Sequence, residues 1–141
     1  MLICIALAYL FYAQKKNVVT EITEEKVFVQ NESLIVEEPL RGDIVTSPLT
    51  LKGKVRGTWL FEADAPVLLT DWDGRIIGES YIKADGNWMT EEFVPFTGTI
   101  TFTTPQDVGE FSNRGSIVFM KANAADLPVH EEALEFEIFY W

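Results

Sequence analysis

Cysteine is almost missing from this chain: Cys4 is the only one in 141 residues. No intrachain disulfide can form, and no thiolate metal site can be assembled. Histidine is as scarce, with His130 alone, in the polar stretch "PVHEEA". A serine triad would have to bring Ser47, Ser80, Ser112 or Ser116 to that single imidazole, and there is no GxSxG nucleophile elbow. The 9 glycines are scattered as turn residues rather than gathered into a phosphate-cradling loop. Basic charge is short as well. Eleven Lys and Arg against 22 Asp and Glu leave a formal net charge of −11. Such a surface repels polyanions, so nucleic-acid binding is excluded and docking of the folded part on anionic lipid is disfavoured. These absences point to a protein that is not an enzyme and carries no cofactor or metal.

A long apolar run is also lacking. The longest, "MLICIALAYLFYA", supplies 13 residues, where a bilayer span needs about twenty. Residues 1–16 are read as a membrane anchor or part of a signal segment whose start lies upstream. A short uncleaved anchor and a buried element of the domain are the competing readings. Lys15 and Lys16 flank the run on its C-terminal side, which conflicts with an outward-facing domain under the positive-inside rule. A lipoprotein signal around Cys4 is set aside, because Ile3 stands where a small residue is needed. Residues 17–33 form an acidic linker, with Glu21, Glu24, Glu25 and Glu32 against Lys26 and one short strand expected at "KVFVQ".

What the chain does have is β-periodicity. In "LTLKGKVR", Leu49, Leu51, Gly53 and Val55 share one face, while Thr50, Lys52, Lys54 and Arg56 share the other. "TITFTT" repeats the device with Ile100 and Phe102 inward, and "LEFEIFYW" does so with Leu134, Phe136 and Ile138. "PVLLTDW" and "RIIGESYI" flank Asp73-Gly74, a strong hairpin signal, and "GSIVFMK" supplies a further strand. Turn residues recur every eight to twelve positions, and no long run at helical spacing follows residue 33. Residues 34–141 are therefore expected to form an all-β, antiparallel, immunoglobulin-like β-sandwich of about seven strands, with a closed barrel as the alternative.

"GTWLFEADAPVLLTDWDG", residues 57–74, is the densest stretch of rings and carboxylates. Asp71 and Asp73 resemble the opening of a calcium loop. The oxygen ligand, Gly and Glu that an EF-hand then requires fall on Arg75, Ile76 and Ile82. The aspartates are read instead as turn residues bonding nearby amides, ahead of a looser calcium site that would add Glu62 and Asp64. Trp59 and Phe61 are placed on one side of a strand, with Trp59 and Trp88 in the core. Trp59, Glu62, Asp71, Asp73 and Trp88 are taken together as a candidate binding or structural constellation joining corner to core. Glu91-Glu92 and Glu131-Glu132 point oppositely if extended, and read as solvated charge.

The order "SPLTLKGKVRGTW", "FEADAPVLLTDWDG", "GNWMTEEFVPFTGTITF", "ANAADLPVHEEALEFEI" resembles the immunoglobulin-like domain of bacterial spore germination proteins, over about residues 35–138. The Gly86-x-Trp88-Met89-Thr90 box carries much of the likeness, and Ala125-Asp126 departs from a Ser-Gly common in the family. The resemblance implies an extracytoplasmic, non-enzymatic module tethered to the envelope and no catalytic residues. The expected partner is an envelope or surface protein, with the membrane touched through the N-terminal segment only. The alternative is a cell-wall glycan stacked on an exposed Trp, and Trp141 is the ring expected outside.

Overall fold

The computed structural model describes residues 26–106, 111–127 and 131–141. The anchor expected at residues 1–16 and most of the linker lie outside them, as does His130. Among the described residues no helix is long and apolar enough to cross a membrane.

The alternating segments become strands: β1 (Val29–Gln30), β2 (Leu34–Glu38), β3 (Leu49–Arg56), β4 (Asp64–Thr70), β5 (Ile76–Ala84), β6 (Phe93–Ile100), β7 (Arg114–Met120) and β8 (Ala133–Phe139). The expected short strand in "KVFVQ" is β1, two residues long. All pairings between strands are antiparallel, in the order β1-β2-β3-β6-β5-β4-β7-β8. Among the described residues there are thus eight strands rather than about seven, hydrogen-bonded into one continuous sheet. The continuity is narrow. β5 pairs with β4 along nearly its whole length, but is in backbone register with β6 only at Lys83↔Thr97 and Ala84↔Phe96, beyond which the Ser80 hydroxyl donates to the Thr99 carbonyl at 2.7 Å.

About that junction the sheet folds back on itself. Phe96 of β6 and Phe119 of β7 are not strand neighbours, yet their rings lie 6.2 Å apart, and Phe119 stacks on Phe136. Leu34, Val36, Leu51, Val55 and Ile100 from one half meet Val67, Leu69, Ile82, Ile117 and Ile138 from the other, all fully buried. Each such side chain stabilises the fold by roughly 1.5–3 kcal/mol, which is how a domain without a disulfide holds together.

Two segments depart from the sequence reading. "TWLFE" is not a strand: Gly57–Trp59 is a 3-10 turn, Trp59 is fully buried and Phe61 is 50% exposed. The cause is Gly57. A Cβ there would run into the carbonyl oxygens of Trp88 and Thr90, so only glycine lets the 90s loop lie against the chain at the point where it turns. The strand expected in "TITFTT" ends at Ile100 and begins earlier, at Phe93. Phe102 is nonetheless half-buried, its ring 5.5 Å from that of Tyr140.

The 3-10 turn leads into a tight reversal in which Phe61 and Asp64 exchange backbone hydrogen bonds of 2.9 and 3.2 Å. Its central residues, Glu62 and Ala63, have φ of 52° and 70°. Such turns favour Asn-Gly, because an ordinary side chain in this region costs roughly 1–2 kcal/mol. Ala63→Gly is therefore expected to raise stability by about 0.5–1 kcal/mol, the strain relieved exceeding the added freedom of the unfolded chain. A melting temperature a few degrees above wild type would show it. An unchanged or lower value would mean that the turn is not strained.

Candidate functional site

β4 separates the proposed constellation into two groups. Trp59 and Glu62 precede its first residue, while Asp71 and Asp73 follow its last. Seven extended residues intervene, about 23 Å at 3.3 Å per residue. The constellation expected from the sequence is thus two corners at opposite ends of the molecule.

At the first corner the Trp59 indole N–H donates to Glu132 Oε2 at 3.0 Å, while Lys121 Nζ holds Glu132 Oε1 at 2.8 Å. The Trp59 carbonyl accepts from the Ala122 amide. A buried indole needs an acceptor for its N–H, and here the acceptor comes from 73 positions along the chain. Glu132 is therefore more than the solvated charge expected of it. Trp88 is half-buried, packs against the core, and lines an open hollow of about 400 Å³ with Leu60, Met89 and Thr90. Glu62 is exposed at the tip of the reversal. The nearby departure Ala125-Asp126 costs the local turn little. Asp126 takes a φ of 51°, and the Asn123 side chain clamps the turn by bonding both the amide and the carbonyl of Leu127.

At the second corner Asp71 is buried, and its carboxylate is spent on its own hairpin. Oδ1 accepts from the amides of Asp73 and Arg75, both at 2.9 Å, and Oδ2 accepts from Arg75 Nε at 3.0 Å. Burial alone would push this carboxyl upward. The Arg75 and Asp73 amides, with the Arg75 guanidinium, outweigh it and hold the group below the usual carboxylate range. Asp73 points no acceptor back into the turn; it is exposed, and Gly74 supplies the φ of 77° that the turn requires. Of the two aspartates read as turn residues, Asp71 carries the amide bonds. Beside it the Tyr140 hydroxyl donates to the Thr70 carbonyl at 2.6 Å. Desolvation, together with the Asp71 charge, pushes that phenol well above its ordinary value. Trp72, 48% exposed, forms one wall of a shallow hollow of about 450 Å³ with Arg75, Thr103, Thr104 and Gln106. Trp141 is 42% exposed, in line with its expected position.

Glu132, Lys121, Arg75 and Tyr140 are the partners that pattern reading missed. Only Arg75, four residues from Asp71, carried a local signal. Among the described residues no three His, Cys, Asp or Glu side chains converge as metal ligands would.

No curated protein and no solved structure matches this chain. The family model described as the immunoglobulin-like domain of bacterial spore germination matches residues 33–126. That span takes in β2 through β7 and stops short of β8, whereas the resemblance read from the sequence continued to residue 138. It covers well over half of the 141 residues, and the chain belongs to the immunoglobulin-like domain family of bacterial spore germination proteins.

Proposed function

We propose that the protein is a non-enzymatic module, tethered through its N-terminal segment on the outer side of the cytoplasmic membrane, that binds or spaces a protein partner. One observation carries the reading. The side chains best suited to chemistry are already committed within the fold, Asp71 to its own turn and Glu132 to Trp59 and Lys121. What the molecule offers to others is surface. Tethering rests on the apolar run "MLICIALAYLFYA".

The test is fractionation of cells expressing the full chain, followed by protease treatment of intact protoplasts. The chain is expected in the membrane fraction and is expected to be degraded from outside. A soluble pool, or complete protection until lysis, would overturn the tethered reading.

A glycan-binding reading is favoured by Trp72, whose open ring shares a hollow with the polar groups of Arg75, Thr103, Thr104 and Gln106. An aromatic ring flanked by hydrogen-bonding side chains suits a sugar face. Sedimentation with purified, protein-free cell-wall sacculi decides it: binding lost in Trp72→Ala supports this reading, and no co-sedimentation of the wild type removes it.

A further inference from the structure

The two outer faces of the folded sheet differ in charge: on the first, Lys83 stands opposite Asp64 and Arg114 pairs with Glu137, which leaves Glu79 and Glu135 as its unbalanced charges. On the half made by β5, β4, β7 and β8, the residues between the buried positions point away from the core. Register places Glu79, Leu68, Val118 and Glu135 in one row across four strands. The end carboxylates stand about 14 Å apart, three strand spacings. Alongside lie Tyr81 opposite Pro66 and Met120 opposite Ala133, with Pro66 and Met120 lining one hollow of about 510 Å³. Tyr81 is 54% and Met120 36% exposed. Single exposed apolar side chains are ordinary, but adjoining rows on one face mark a surface for docking. Glu79 and Glu135 have no ion-pair partner among the described residues.

The opposite half presents the reverse. β3 sends Lys52, Lys54 and Arg56 outward, and Lys54 sits in register between Ile35 and Pro95. Lys52 and Lys54 are exposed and form no ion pair among the described residues, although Glu38 stands opposite Lys52.

We propose that the partner of the acidic, apolar face is a second copy of this chain, docking through its Lys52–Lys54 face. Charge complementarity selects this pairing. Setting like faces together would oppose Glu79 and Glu135 to themselves, and like charges across an interface are costly. The net charge of −11 repels copies at long range, so the acidic-to-cationic approach is the one with local attraction. Strand addition is disfavoured at the sheet edges: β1 is two residues long, and the far half of β8 is covered by Gly42–Val45. Because the paired faces lie on opposite sides of one molecule, the contact does not close in twos, and copies follow one another in an open string or a ring. This inference rests on the protein-binding reading above and names its partner; tethering to one membrane would raise the effective concentration of copies.

The experiment is sedimentation equilibrium of the full chain in density-matched nonionic detergent. Loading is at about 0.1 mM, suited to an interface at the small end of the specific class. Wild type is expected to exceed the monomer mass. Glu79→Lys/Glu135→Lys and Lys52→Glu/Lys54→Glu are each expected to sediment as monomers with unchanged melting curves. Their equimolar mixture brings together one intact acidic face and one intact cationic face, and is expected to associate again beyond the monomer mass. A monomeric wild type, variants that still associate, or a mixture that stays monomeric would each overturn the proposal. None of these results bears on protease access in protoplasts, so self-docking and tethering fail separately.

Discussion

Replacing Trp59 with alanine is expected to destabilise the domain by about 3–5 kcal/mol, the usual cost of removing a buried tryptophan from a packed core. The ring is fully buried where the 3-10 turn meets the ends of β7 and β8, and it lies in the same core as Leu60, Phe96 and Phe119. The loss has two parts: the apolar area no longer removed from water, and a cavity that the surrounding strands fill only partly. The hydrogen bond to Glu132 adds little, since half of the Glu132 side chain is solvent-accessible and water replaces the indole there. Trp59→Phe separates the contributions. It keeps most of the ring and gives up the N–H, and is expected to cost about 1–2 kcal/mol. Denaturant unfolding of the three proteins checks this. Equal midpoints for wild type and Trp59→Ala would remove Trp59 from the core.

Asp71→Ala is expected to cost roughly 2–4 kcal/mol, because two part-buried amide bonds to a carboxylate, worth about 1.5–3 kcal/mol each, are lost and water recovers part of that. The contact with Arg75 contributes the smaller share, since the Arg75 side chain is 75% exposed. Asp71 also makes stability depend on pH. Its folded-state pKa lies below the ordinary value, so the unfolded chain binds its proton first as pH falls. The contribution is fully present above about pH 4, the unfolded value, and is lost as pH drops through the lower folded value. Asp71→Asn, which keeps an oxygen for the amides but cannot titrate, is expected to unfold with a shallower acid limb than wild type. Parallel limbs in the two proteins would show that Asp71 is not held ionised by its hairpin.

Some of this was legible in the residues and some was not, for physical reasons. "LTLKGKVR" predicts β3 residue for residue, because one face is packed and the other wet, so every side chain declares its side. Asp73-Gly74 marks the β4–β5 hairpin because the turn needs a residue free to take positive φ. Trp59 and Phe61 mislead through the same rule: two rings at period two imitate a strand where a glycine permits a turn. Ala63 gives no signal at all, since its positive φ comes from the closure of the reversal and not from its own preference. The bonds that anchor the two corners, Trp59 to Glu132 and Tyr140 to Thr70, join residues 73 and 70 positions apart. No local pattern encodes such a distance.

The rims of the sheet have one more consequence. An open β-sheet is a template on which stray extended chains can polymerise into fibres. Here one rim ends in the two-residue β1, and at the other the amides of Gly42 and Val45 and the carbonyl of Asp43 occupy the backbone groups of Glu137 and Phe139. At both of these places the molecule leaves amyloid-like growth little foothold.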